Sequence, residues 1–230
     1  MWIIGDVHGC IKTFEALLSK LPESEPKCLV GDLIDRGPGS KEVIERAIKD
    51  GIESVMGNHE LMMLSALKLE IPAIKVDLSG SYGIMDFRNV WLRNGGTTTL
   101  TSYTTIGNDC KGVLEFPEDH IKWMCELPLY REYLASNDDG RTLFVSHSSV
   151  HGRIDLSDMK PWDDSSIIWN RYPPMNMAGK FQIFGHTPLR KVFKKNYCMN
   201  IDTGCVYGLR LTAVHFPSMK IVRQKVLDCL

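Results

Sequence analysis

Trp2-Ile3-Ile4-Gly5-Asp6-Val7-His8-Gly9 begins as three apolar residues and runs straight into a polar, glycine-bounded cluster. The same change of character recurs four times. Lys27-Cys28-Leu29-Val30 leads into Gly31-Asp32, and Glu53-Ser54-Val55-Met56 into Gly57-Asn58-His59-Glu60. Thr142-Leu143-Phe144-Val145 leads into Ser146-His147, and Phe181-Gln182-Ile183-Phe184 into Gly185-His186. Short β-rich runs bounded by glycine read as buried strands. Helical spacing of apolar residues fills the gaps over 11–21 and 41–50. Strand alternating with helix is the pattern of an α/β layered fold. Polar clusters at the C-terminal ends of strands are where open sheets of this kind gather ligands, so the five clusters are expected to meet at one edge.

Residues 61–135 read differently. Helical candidates at 61–69, 84–94 and 118–127 are separated by turn-rich stretches such as Gly95-Gly96, which predicts a helical insertion over the sheet. After Asn200, strand-like segments at 199–203, 209–215 and 220–226 predict a second sheet, hence a two-sheet sandwich. A length of 230 residues suits one domain spanning 1–230. A net charge of −1 gives no general attraction to nucleic acid or membrane. No apolar run approaches the roughly 20 residues that span a bilayer, and the start lacks a secretory pattern. The seven cysteines include no Cys-x-x-Cys pair, which argues against a disulfide framework or a zinc–thiolate site and for a cytoplasmic protein with thiols used in packing.

The polar residues of the five clusters are Asp6, His8, Asp32, Asp35, Arg36, Asn58, His59, His147 and His186. Carboxylate, imidazole and an amide carbonyl together suit Mn²⁺, Fe or Zn²⁺. Asp6 and His8, two residues apart, can be aimed the same way by one strand end. Asp32 lies in a separate loop, where its two oxygens could bridge metal ions about 3.5–4 Å apart. The chain has seven histidines, and four of them, His8, His59, His147 and His186, stand just beyond a predicted strand. That repetition points to a two-metal site more strongly than any one histidine does.

Gly5-Asp6-Val7-His8-Gly9, Gly31-Asp32-Leu33-Ile34-Asp35-Arg36-Gly37 and Gly57-Asn58-His59-Glu60 match, in order, the GDxHG, GDxxDRG and GNHE motifs. The chain thus resembles the phosphoprotein phosphatase branch of the calcineurin-like metallophosphoesterases. Trp91-Leu92-Arg93-Asn94-Gly95-Gly96, Trp169-Asn170-Arg171, Phe184-Gly185-His186-Thr187-Pro188 and Ile201-Asp202-Thr203-Gly204 look like its bacterial and lambda phage-type serine/threonine phosphatases. The resemblance implies two divalent ions, with Mn²⁺ the expected metal. Asp6, His8 and Asp32 would hold the first ion; Asp32, Asn58, His147 and His186 would hold the second. A hydroxide bridging the two would attack phosphorus in line. Arg36 and Arg171 would hold the phosphate, together with Asn58, since a planar guanidinium suits bidentate contact. His59 would protonate the leaving group, oriented by Asp35.

The match also departs from the family. Ile201-Asp202-Thr203-Gly204-Cys205-Val206-Tyr207 replaces the SAPNYC-like segment of eukaryotic members, and Ser148-Ser149-Val150-His151 follows His147 where relatives usually place Gly or Ala. Arg153 rivals Arg171 as the second phosphate arginine. Glu60 complements a helix dipole or supports the ligands, Asp202 supports the His186 loop, His120 is a solvated helix residue, and His151 is a loop residue. The expected function is hydrolysis of phosphoserine and phosphothreonine in proteins. The alternative is a symmetrical dinucleoside polyphosphate hydrolase, ranked second because no adenine-binding device is recognisable. A silent scaffold is the remaining class, disfavoured because every ligand is kept. The partner is then a phosphoprotein or a small phosphate ester.

Overall fold

A computed structural model of the protein describes residues 1–69, 86–107, 111–152 and 166–228. In chain order the elements are β1 (Trp2–Ile4), α1 (Ile11–Leu18), β2 (Lys27–Leu29), α2 (Ser40–Lys49), β3 (Glu53–Ser54) and α3 (Asn58–Ala66). Then come α4 (Phe87–Trp91), a π-helical turn (Leu92–Gly96), α5 (Thr97–Ser102), β4 (Thr104–Ile106), β5 (Gly112–Leu114) and α6 (Glu118–Cys125). The chain finishes with β6 (Tyr130–Ser136), β7 (Thr142–Ser146), β8 (Lys180–Phe184), β9 (Phe193–Lys195), β10 (Cys198–Asn200), β11 (Arg210–His215) and β12 (Lys220–Lys225).

Two five-stranded sheets face each other. One has the order β12-β11-β1-β2-β3 and the other β6-β7-β8-β10-β9. Alternation along each strand decides what it buries. In β1, Ile3 points into the space between the sheets, with Cys28, Leu143, Val145, Phe181 and Val214. Its neighbours Trp2 and Ile4 point to the opposite face and pack with Phe14, Leu17, Val43, Ile44 and Ala47 of α1 and α2. Both faces of the strand are covered, which is why it reads as an unbroken apolar run. The outer face of the second sheet is covered in the same way, with Phe144 packed on Val150 and Ile167.

The sandwich is as expected, but its second sheet is built differently. Of the three C-terminal segments, only Cys198–Asn200 joins it, parallel to β8. β11 instead pairs antiparallel with β1 and carries β12 on its other side, which covers the free edge of the first sheet. Tyr130–Ser136, placed at the end of the insertion by its sequence, is the edge strand antiparallel to β7. Its mixed polar pattern belongs to a partly exposed edge and gives little local signal. The five polar clusters therefore come from two sheets, three from β1–β3 and two from β7 and β8. Within the insertion, β4 and β5 form an antiparallel pair, and His120 is buried, its Nδ1 2.9 Å from the Tyr103 hydroxyl, where solvation was expected. Arg153 lies outside the described residues. No helix among those described is long and apolar enough to cross a membrane.

The C-terminal segment fixes the start of α1. Asp228 Oδ1 accepts the Lys12 N–H at 3.1 Å, while its Oδ2 accepts the Thr13 N–H at 3.0 Å and the Thr13 hydroxyl at 2.6 Å. This is an N-cap supplied from the far end of the chain, satisfying donors that a helix start leaves open. Asp228→Ala is expected to lower unfolding free energy by about 1–2 kcal/mol, read as a shifted denaturant midpoint at constant slope. An unchanged midpoint would show that the cap contributes nothing.

Candidate metal centre

Both sheets end at one place, and the loops that leave them bring the predicted ligands together. Asp32, at the end of β2, stands between two groups of donors. Its Oδ2 lies 3.4 Å from His8 Nε2 and 3.9 Å from His59 Nε2. Its Oδ1 lies 3.4 Å from His147 Nε2. On that second side, His147 Nε2 is 2.9 Å from Asn58 Oδ1 and 3.1 Å from His186 Nδ1, and the last two are 2.9 Å apart. Two buried triads result, His8–Asp32–His59 and Asp32–His147–His186, each with its donor atoms within 4.8 Å of one another.

The histidines are turned by backbone carbonyls. His8 Nδ1 meets Ile34 O at 2.9 Å and His147 Nδ1 meets Val30 O at 2.8 Å, which leaves Nε2 of each for the centre. Such outer partners set tautomer and ring direction in metal sites. Asp6 lies outside the two triads. Its Oδ2 accepts the His186 N–H at 3.0 Å, while Oδ1 is buried without a hydrogen-bond partner among the described residues. Residue 185 must be glycine, because a Cβ there would sit 1.9 Å from that Oδ1. His186 Nε2 and His59 Nε2 are likewise buried and unpartnered among the described residues.

This donor set fits divalent ions. Asp32 Oδ1, Asn58 Oδ1, His147 Nε2 and His186 Nδ1 crowd around one point with at most one proton to share. Burial pushes His147 down, but the Asp32 carboxylate beside it outweighs this and holds the imidazole up at about 9. Burial and the charge of His147 push His186 down to about 2. Burial raises Asp32, but His147 and His59 more than reverse it and leave the group well below its ordinary value. The Asp32 carboxylate thus favours positive charge at this position, as a bound cation would supply.

The loops themselves are strained. Seven non-glycine residues among those described have positive φ, and five of them, His8, Asp32, Asp35, Arg36 and His186, belong to this site. Each such residue costs about 1–3 kcal/mol and persists only where its surroundings hold it. Glu60 is the main restraint. Its Oε2 accepts N–H groups from Asp32 at 2.9 Å and Gly57 at 3.0 Å, and its Oε1 from Leu33 at 2.8 Å and Ile34 at 3.3 Å. The sequence offered this role as one of two for Glu60; the capping of α3 is real, through the Gly57 contact, and it is the lesser part.

Asp35 is the second restraint. Its Oδ2 is 2.6 Å from His59 Nδ1, as expected, and its carboxylate also accepts Trp91 Nε1 at 3.0 Å and Thr99 Oγ1 at 2.6 Å. Trp91 and Thr99 were not among the predicted site residues. Nothing marked Thr99, and the only sign of Trp91 was the Trp91–Gly96 motif, whose reason is now visible: Gly95, at φ +108°, approaches Arg36 so closely that a Cβ would lie 2.8 Å from its Cγ. Arg36 is half-buried, with Nη1 2.8 Å from His8 Nε2 and its guanidinium 5.6 Å from the Tyr207 ring centre. Arg171 is exposed, and its charge is among those that depress His186. Asp202 supports the His186 loop through its backbone, its carbonyl accepting the Leu189 N–H at 3.0 Å. His151 is a loop residue as expected, 3.4 Å from Pro173 O.

The fold and this centre define a metallophosphoesterase. The chain belongs to the calcineurin-like phosphoesterase family, whose profile matches residues 1–196. It is 26% identical to bis(5'-nucleosyl)-tetraphosphatase PrpE (asymmetrical) of Bacillus anthracis, over 96% of this chain and 92% of that protein. It is 29% identical to the enzyme of the same name from Anoxybacillus flavithermus, over 96% and 91%. A solved structure provisionally described as a diadenosine tetraphosphatase superposes with a TM-score of 0.69 at 21% identity, covering 99% of this chain and 94% of that one. A Saccharomyces cerevisiae protein serine/threonine phosphatase with similarity to human phosphatase PP5 superposes at 0.54 and 13% identity, covering 100% and 80%. At these identities, the solved structures show likeness of fold alone.

With His147 as a ligand, a cation would displace its proton, so affinity for Mn²⁺ is expected to strengthen between pH 6.5 and 8.5, by up to about tenfold per pH unit for each proton released. Titration calorimetry in buffers of different ionisation enthalpy measures both. A flat profile with no proton release would refute it.

Proposed function

We propose that this protein is a metal-dependent hydrolase of nucleoside polyphosphates, with dinucleoside tetraphosphates as its substrate class. What carries the choice of substrate is similarity to tetraphosphatases along almost the whole of both chains. Asp6, His8 and Asp32 are assigned to one metal ion, and Asp32, Asn58, His147 and His186 to the other. Divalent ions held there supply Lewis acidity toward phosphate oxygens and toward the attacking water. Arg36 and Arg171 orient the phosphate and offset its charge, Arg36 from a position fixed by Gly95 and Tyr207. The burial of Asp32, His59 and His147 keeps the dielectric low, which strengthens each of these contacts.

One observation favours a second reading, the protein phosphatase activity expected from the motifs. His59 is buried and bonded to Asp35, an arrangement suited to a general acid. An alkoxide leaving from phosphoserine needs that proton, whereas a nucleotide leaves as a stabilised phosphate and needs it little.

The two readings are separated by kcat/KM on diadenosine tetraphosphate and on a phosphoserine peptide panel, with Mn²⁺ supplied and chelated protein as the blank. A preference of tenfold or more for the tetraphosphate is expected, about 1.4 kcal/mol in the transition state. A peptide preference would reverse the assignment.

His59→Asn is expected to lower kcat on an alkyl phosphate by about 10²–10⁴-fold, and far less on p-nitrophenyl phosphate. Equal losses on the two substrates would remove His59 from the role of acid.

A further inference from the structure

The outer side of the second sheet holds a pocket of about 380 Å³, within the size range of small-molecule sites. Arg171, Tyr172, Phe184, Thr187, Phe193 and Lys195 form much of its lining. Phe184 and Thr187 flank Gly185-His186, so one wall of the pocket is the strand end and loop that carry a candidate metal ligand. Trp169 ties the other wall to the same residue, with its ring edge-on to His186 at 6.3 Å between centroids. The pocket therefore abuts the metal centre.

Its chemistry is specific. Three aromatic rings and two cations line it, and no carboxylate among the described residues does. A cationic, aromatic recess suits a ligand that is both flat and anionic, since a base stacks on aromatic faces while arginine takes phosphate. The wall is also set in advance. The Tyr172 ring stacks on His151 at 4.8 Å with 29° between planes. The Tyr172 N–H donates to Asn170 Oδ1 at 2.8 Å, and Asn170 Nδ2 donates to Ser149 O at 2.7 Å, which locks this turn to the segment after β7. Pro173 and Pro174 stiffen the chain immediately after Tyr172. Even so, Tyr172 is 55% exposed, with the stack on His151 covering only part of its ring. Lys195 Nζ lies 5.6 Å from the Phe193 ring centre and 5.5 Å from that of Tyr197, to whose hydroxyl it donates at 3.2 Å.

We propose that this pocket binds the nucleoside end of a nucleoside polyphosphate, with Tyr172 and Phe193 against the base and Arg171 on the phosphate nearest the metal centre. The proposal rests on the nucleotide reading of the site. It gives the protein the base-binding device that its motifs do not announce.

The test uses the full-length protein loaded with Mn²⁺, its Tyr172→Ala, Tyr172→Phe and Phe193→Ala variants, and two readouts. The first is the ratio of kcat/KM for diadenosine tetraphosphate to that for a phosphoserine peptide. The second is AMP affinity by titration calorimetry. Both alanine variants are expected to lower the ratio and weaken AMP by tenfold or more, and Tyr172→Phe to restore both to within about threefold of wild type, because stacking needs the ring and not the hydroxyl. Should Phe193→Ala fail to fold, the exposed Tyr172 pair alone decides. Unchanged AMP affinity in a folded Tyr172→Ala overturns the proposal, as does a loss confined to the peptide. If the wild type does not cleave the tetraphosphate but its AMP affinity still depends on Tyr172, the pocket stands and the tetraphosphatase reading falls.

Discussion

Glu60 joins the two loops on which both halves of the centre depend. Its carboxylate accepts backbone N–H groups from Asp32, Leu33 and Ile34 after β2 and from Gly57 after β3. Every partner is a donor, which favours the ionised form although burial and the charge of Asp32 push Glu60 upward. A hydrogen bond to a charged group contributes about 1.5–3 kcal/mol, comparable to the cost of one left-handed residue. Four of them suffice to hold Asp32 in a conformation that places one oxygen on each side of the site. Without that hold, the bridging carboxylate would relax toward ordinary backbone geometry and the two groups of donors would lose their common member.

The insertion acts on the next part of the same loop. Trp91 and Thr99 donate to Asp35, Gly95 presses on Arg36, and Asp35 in turn bonds His59. A long loop over an active edge can cover it or bind with it. The described part of this one props up Asp35, and through it His59, and presses on Arg36, the residues proposed to meet the leaving group and the phosphate. The Asp35–His59 pair and Arg36 thus share one support, and a change in α4 or α5 would be felt by both.

In the proposed reading, reaction type and substrate are set by separate parts of the molecule. The centre at the strand ends would supply the ligands for metal-assisted attack on phosphorus. The recess beside it, lined by Tyr172, Phe193 and Arg171, is the part proposed to distinguish a nucleotide from a peptide. This division lets one fold host several phosphoesterases through changes in the segments after β7 and β8.

Much of the site was legible from residues alone. Asp6, His8, Asp32, Asn58, His59, His147 and His186 are marked in the sequence because a buried apolar strand that ends in glycine and a polar side chain has few bland explanations. The strands β1, β2, β7 and β8 are equally plain, since both of their faces are covered and their runs are almost wholly apolar, Gln182 of β8 being the interruption. Other features have no local signature. The partnership of β11 with β1 spans the whole chain and follows from which edge was open, as does the capping of α1 by Asp228. Tyr130–Ser136 is an edge strand whose exposed face erases the apolar pattern. His120 reads as solvated until Tyr103 is seen against it. The pocket is assembled from residues 149 to 200; Asn170, Arg171, Phe184 and Thr187 stand in motifs, but nothing local shows that they share a recess with Tyr172 and Phe193. Sequence determined the chemistry, because ligand type and strand ends are local properties. Tertiary structure decided the sheet order, the support of Asp32 and Asp35, and the recess beside His186, because each depends on surfaces that meet only when distant segments pack.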